Sequence, residues 1–327
     1  MPEQISDFYF FRNIHPNVRL GTASDRYAGW IGQIYTEGKY EISTRSHKIG
    51  NKSFQEEILP IESVAEYFEH FSVLEIDFTF YRPLLNNKLE PTSNYNLLQS
   101  YNKYLKERDY VILKAPQVIF ARNLWQSGKQ VENKNYLNAE MFINQFYDPA
   151  NAIMGENIAG FVFEQEYHRK AERIPPRQYV EDLDNFFEAL PRDKRYHIET
   201  RTDYYHTHQY FDMLYNRGIG HVLSHWTWLP PLWKQFTKAR KSFYNFGKQS
   251  IIRLLTPLGV SYNDSFIKTF PFNKTVNDIM NPEMVNETVE IIKAGVKSGV
   301  ITNVILNNRV NGNAPTLARE IYQHFEM

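Results

Sequence analysis

Glu164 and Glu199 have the chemistry of an acid/base pair, because each closes a short apolar run, Ile158 to Glu166 and Arg195 to Arg201. Two carboxyls in different surroundings can divide the roles of proton donor and of base or nucleophile. Cations stand at comparable places. Lys114 ends the run from Tyr110, Arg201 follows Glu199, and Arg253 lies within Gln249 to Thr256. A lysine point charge and arginines that bind in bidentate fashion suit a phosphate or carboxylate. The stretch Val73 to Arg82 carries Glu75, Asp77 and Thr79 at alternating positions. In a strand these share one face, with Leu74, Ile76, Phe78 and Phe80 on the other. Buried charge without a partner is costly, so the first face must look into something polar. Glu75 and Asp77 are expected to hold Lys114 or an arginine in place rather than to react. Asn307 and Asn308 would orient a ligand by hydrogen bonds. Trp30 and Tyr81, with Tyr35 and Trp226, could stack a sugar or a base.

Other readings of the same residues stand beside this one. Glu75, Asp77, Glu164 and Glu199 with the three cations could form an ion-pair network that closes a barrel mouth without catalysis. The mouth could also capture a small anion or a nucleic acid end without turning it over. No cofactor is required by the sequence. A divalent metal on Glu164, Glu199 and His225 is the weaker alternative, since the histidines show no His-x-x-x-His or His-Glu-x-x-His spacing. His206 and His208 read as surface or cap residues. There is no Gly-x-Ser-x-Gly elbow and no glycine-rich phosphate loop. The 327 residues contain no cysteine, which excludes thiol catalysis and thiolate metal sites. Basic and acidic residues balance at 37 each, so net charge gives no pull toward nucleic acid or anionic membrane. No apolar run approaches the ~20 residues of a spanning helix. The first residues lack a basic segment followed by an apolar one. A cytoplasmic protein with no membrane partner is the expectation.

The elements that must position these residues alternate along the chain. Strands are expected at Val18–Ser24, Val73–Arg82, Tyr110–Pro116, Ile158–Glu166, Arg195–Arg201, Ile219–His225, Gln249–Thr256 and Val300–Asn308, with helical patterns between them. Unbroken strand–helix alternation calls for a parallel sheet, and eight units favour closure into an α/β (β/α)8 barrel of TIM type. The chain exceeds the ~250 residues usual for such barrels; a long polar βα insertion at 36–60 and others before 150 and 250 account for the excess, and 120–135 reads as a polar loop. Residues 1–16 read as an N-terminal extension and 17–327 as a single domain. The polar residues fall in the C-terminal halves of their strands, the end where barrels carry their active sites.

Six segments, in order, resemble the domain of unknown function 72 (DUF72) family from about Gly21 to Phe325. They are Gly21-Thr-Ala-Ser24 with Tyr27, Gly29, Trp30 and Tyr35; Glu75-Ile-Asp-Phe-Thr-Phe-Tyr-Arg82; Lys114-Ala-Pro116; Phe163-Glu164; Ile198-Glu-Thr-Arg201; and Asn307-Asn308 with Gly312, Ala314-Pro315 and Ala318. Asp77-Phe78 stands where the family usually has Asn-Ser, and Glu164 where many members have Gln. The resemblance implies a TIM-barrel-like fold and no established activity. The residues themselves point to hydrolysis of a phosphodiester or glycosidic bond in a phosphorylated or polyhydroxylated substrate. A non-catalytic binding protein is the alternative.

Overall fold

The computed structural model describes residues 9–126, 128–279 and 281–326; residues 1–8 of the expected extension lie outside them. Its strands are β1 (Val18–Ala23), β2 (Ser43–Ile49), β3 (Lys52–Ile58), β4 (Val73–Ile76), β5 (Tyr110–Lys114), β6 (Asn123–Gln126), β7 (Lys129–Glu132), β8 (Ile158–Gln165), β9 (Tyr196–Thr200), β10 (Gly220–His225), β11 (Gln249–Leu254) and β12 (Ile301–Leu306). Eight of them close a barrel in the cyclic order β1-β4-β5-β8-β9-β10-β11-β12. Neighbours pair in parallel. This is the α/β barrel of TIM type that the strand–helix alternation implies.

Side-chain alternation divides each barrel strand between two cores. Leu74, Ile76, Leu113, Phe163 and Ile198 join the large cluster between the strands and the surrounding helices. Val73, Ile112, Val162, Val222, Ile251 and Ile305 form a second, smaller cluster. Two residues along a strand return to the same face. The barrel interior therefore carries an apolar layer, and one step toward the strand ends comes Glu75, Lys114, Glu164, Ser224 and Arg253. Gly21 permits the tight closure between β1 and β4, since a Cβ there would lie 1.7 Å from the Val73 carbonyl oxygen. At the opposite end, Phe11 packs on Phe71 at 5.1 Å and Arg12 pairs with Asp109 at 2.7 Å.

The expected strand over 73–82 is too long. β4 stops at Ile76, Asp77 is helical in backbone, and Phe78–Phe80 form a 3-10 turn. The Thr79 hydroxyl donates to the carbonyls of Lys114 (2.8 Å) and Ile76 (3.1 Å), which turns the chain inward. Phe80 consequently lies beneath the Lys114 ammonium, at 3.9 Å from ring centroid to nitrogen, and not under the outer helices. The polar segments at 36–60 and 120–135 form hairpins, β2 with β3 and β6 with β7. A helix at Tyr262–Thr269 had no counterpart in the sequence reading. Among the described residues no helix is long and apolar enough to cross a membrane.

Candidate functional site

The barrel mouth is built around Arg253. Its guanidinium donates from Nη2 to Glu75 Oε1 at 2.6 Å and from Nη1 to Glu164 Oε2 at 3.1 Å, and Nη1 also contacts Glu199 Oε2. β8 and β9 pair with Glu164 opposite Glu199, so one arginine can reach both. Lys114 Nζ lies 2.6 Å from Glu164 Oε2, and Arg201 bridges Glu164 (2.9 Å) and Glu199 (3.3 Å). The Ser224 hydroxyl donates to Glu199 Oε1 at 2.7 Å. Three carboxylates thus meet three cations, all buried except Arg201, which is partly open to the mouth.

This arrangement decides the protonation of the glutamates. Burial alone would raise the Glu164 carboxyl, but Arg201, Lys114 and Arg253 outweigh it and hold the group well below the ordinary carboxylate range. Burial also acts on Glu75, where it prevails over Arg253 and Lys114 and raises the carboxyl. Arg253 is raised by its three carboxylates despite its own burial.

Beside this network lies a cavity of about 900 Å³, lined by residues of the β1 and β4 loops, the β2–β3 hairpin and the chain around Tyr262 and Arg309. Glu75 and Asp77 line it, as does Asp25, which lies outside any strand or helix and carries no periodic signal in the sequence. Asp25 is buried, its Oδ1 accepts from the Tyr101 hydroxyl at 3.0 Å, and its Oδ2 has no partner among the described residues. Burial pushes its carboxyl up to about 6, against smaller opposing effects of Arg26 and Tyr101. Ser24, just before it, holds a positive φ of 87°, a conformation an L-residue adopts only when its surroundings impose it. Glu75 also keeps one oxygen, Oε2, without a partner.

The remaining residues singled out from sequence divide between mouth and scaffold. Tyr81 is 66% exposed at the cavity edge. Trp30 is fully buried, with its indole N–H donating to Asn308 Oδ1 at 3.1 Å. The same oxygen accepts from the Ala314 backbone at 2.9 Å, and Asn307 Oδ1 accepts from the Arg309 backbone at 3.0 Å. Tyr35 is also buried, and its hydroxyl donates to the Asp25 carbonyl. Trp226 does reach the mouth, 4.8 Å above the Arg201 guanidinium and next to Tyr167. His225 sits one residue beyond Ser224 and so faces away from Glu199; its Nδ1 lies 2.8 Å from the Thr256 carbonyl oxygen, and burial pushes the ring down to about 4. Among the described residues no group of three or more His, Asp or Glu side chains is arranged to hold a metal ion. His206 is buried against His221 and Tyr210, where the sequence suggested a surface residue.

Two crystal structures of a DUF72 family protein from Enterococcus faecalis V583 resemble this chain, at 14% identity with TM-scores of 0.59 and 0.56. The alignments cover 95% and 96% of this chain and 96% and 99% of that one. A DUF72 family protein from Thermotoga maritima MSB8 matches at 16% identity and a TM-score of 0.57, over 95% of this chain and 99% of that one. At these identities the likeness speaks to the fold. No curated protein matches the chain. The family model described as "Protein of unknown function DUF72" matches residues 19–327, and the chain belongs to that family.

Proposed function

We propose that the C-terminal mouth of the barrel is an active site that hydrolyses a phosphodiester or glycosidic bond in a phosphorylated or polyhydroxylated small molecule. The observation that carries this reading is the cavity of about 900 Å³ with two buried carboxyls, Asp25 and Glu75, that each keep an oxygen without a partner. Its size falls within the ~300–1,000 Å³ usual for small-molecule sites. A carboxyl raised to about 6 exchanges its proton near neutral pH, as a general acid must.

Asp25 would give its proton to the leaving oxygen as the C–O or P–O bond breaks. Water would supply the hydroxyl to the other fragment, and Glu75 Oε2 would take the water's proton. Lys114 and Arg201, in the network beside the cavity, would stabilise negative charge developing next to Glu75. Glu164 and Glu199, the pair the sequence suggests for acid and base, are better suited to fixing those cations. Glu164 is held too far down to carry a proton, and both share Arg253.

The test is turnover on a panel of phosphodiesters and glycosides with the wild type, Asp25→Asn and Glu75→Gln. General acid–base catalysis contributes roughly 10²–10⁴-fold, so Asp25→Asn should lower kcat by about that factor and remove a pH limb near 6. Full turnover by Asp25→Asn with an unchanged pH profile would refute the assignment. Binding without turnover across the panel would leave the mouth as a binding site only.

A further inference from the structure

Arg309 differs from every cation of the network. It follows Asn308 in the turn after β12 and lines the cavity. Its guanidinium lies over the Tyr262 ring, 3.9 Å from Cζ to the centroid, with Phe266 at 5.5 Å. Among the described residues no carboxylate pairs with it, and its Nε is buried without a hydrogen-bond partner. Its backbone is held on both sides: the N–H donates to Asn307 Oδ1 at 3.0 Å, and the carbonyl accepts from the Ser265 hydroxyl at 2.5 Å. Tyr27, Tyr81 and Tyr262 all lie within electrostatic reach of both Arg309 and Asp77.

A guanidinium stacked on an aromatic face keeps the edge of its fork free for a planar or tetrahedral anion. A cation held in place without a directly paired carboxylate is costly in a partly desolvated cavity, and a ligand anion relieves that cost. Holding the arginine in advance lowers the ordering cost of binding. The rest of the cavity wall carries both signs, Asp25, Glu56, Glu57, Glu75 and Asp77 with Arg26, Arg45 and His47. Asp25, Asp77 and Glu75 would repel an anionic group placed beside them, whereas the spare oxygens of Asp25 and Glu75 can accept from hydroxyls. The geometry points to Arg309, over Tyr262, as the recognition site for an anionic substituent, a phosphate ester or a carboxylate, on a hydroxylated ligand. This rests on the proposed function in placing the ligand in this cavity, and it narrows the substrate to an anionic polyol.

Inorganic phosphate and acetate serve as probes, titrated calorimetrically into the full chain. The proteins compared are the wild type, Arg309→Gln, Arg309→Lys and, as a control for lost charge, Lys293→Gln on an outer helix. Arg309→Gln should weaken binding of the preferred anion by roughly tenfold or more, the scale of one charge-assisted bidentate contact. Arg309→Lys should recover only part of it, and Lys293→Gln should change nothing. Tighter phosphate binding identifies the substituent as a phosphate ester, and tighter acetate binding as a carboxylate. In a second arm, preference for a sugar phosphate or sugar acid over the neutral sugar should fall by the same factor in Arg309→Gln. Equal anion binding by wild type and Arg309→Gln, or none by the wild type, overturns the inference. Absence of turnover on every substrate counts against hydrolysis alone, because the binding readout does not depend on it.

Discussion

At the centre of the mouth Arg253 touches Glu75, Glu164 and Glu199, while at its flank Arg309 lies on Tyr262 with no carboxylate partner among the described residues. The acids differ in the same way. Glu164 meets three cations, whereas Asp25 has one oxygen on Tyr101 and the other on nothing. Charges that satisfy one another are set by the barrel and gain little by meeting a ligand. Charges left unsatisfied in a cavity are maintained against a folding cost. The centre therefore reads as the frame of the site, open to the cavity through the spare oxygen of Glu75, and the flank as the part that faces substrate.

The largest effect expected from this contrast is on stability at the centre. Arg253→Met would leave three buried carboxylates without their shared cation, and breaking a buried pair from one side costs ~3–5 kcal/mol. Urea unfolding should show that loss. A loss below ~1 kcal/mol would mean that the network reorganises freely and frames nothing. The opposite sign is expected at the flank. Asp25 is raised from 3.8 to about 6, so the folded protein holds this proton more tightly than the unfolded chain. The associated stability is present below pH 4 and is lost as pH rises through 6. Asp25→Asn removes that loss, so the variant should be more stable than wild type by up to ~3 kcal/mol above pH 7. The two should converge below pH 4. Stabilisation together with lost turnover would mark Asp25 as a group kept for function. Equal unfolding midpoints at both pH values would contradict it.

Acid sensitivity offers a smaller test of the frame. Burial pushes His197 and His225 down to about 4 from 6.5. The unfolded chain takes up these protons from about pH 6.5 downward and the folded chain only near 4, so stability falls across that window. His225→Gln should flatten the fall in urea midpoint between pH 6.5 and 4. An unchanged slope would show that the ring is protonated in the folded state.

Why the centre was legible in the sequence and the flank was not follows from how each is built. Glu75, Lys114, Glu164, Glu199 and Arg253 lie on strands, where a period of two ties each polar residue to one face and the apolar neighbours reveal it. Asp25 and Arg309 lie in turns without periodicity. Tyr101 buries Asp25 from a helix 76 residues away, and Tyr262 stacks on Arg309 from a helix the apolar pattern did not reveal. The family-like segments mixed two roles. Glu75 and Lys114 belong to the network, while Trp30 and Asn308 bond to each other as scaffold. The alternation through Val73–Arg82 misled beyond Ile76 because the Thr79 hydroxyl, bonding to two carbonyls, sustains a turn that side-chain pattern alone cannot distinguish from a strand.

The smallest effect should come from the residue most exposed to ligand. Arg309 has no ion pair to lose among the described residues, and its side chain is only partly buried. Its contribution to folding is the stack on Tyr262 and Phe266, opposed by the cost of a cation without a directly paired carboxylate. A stacking contact of this kind is worth ~0.5–2 kcal/mol, so Arg309→Gln should change the unfolding free energy measured in urea by less than ~1 kcal/mol once that cost is removed with the charge. Arg253 and Arg309, two arginines lining one mouth, would then differ several-fold in what their loss does to folding and in the reverse direction in what it does to anion binding. If Arg309→Gln instead unfolds the protein as readily as Arg253→Met, Arg309 belongs to the frame, and the division between a satisfied centre and a ligand-facing flank fails at that residue.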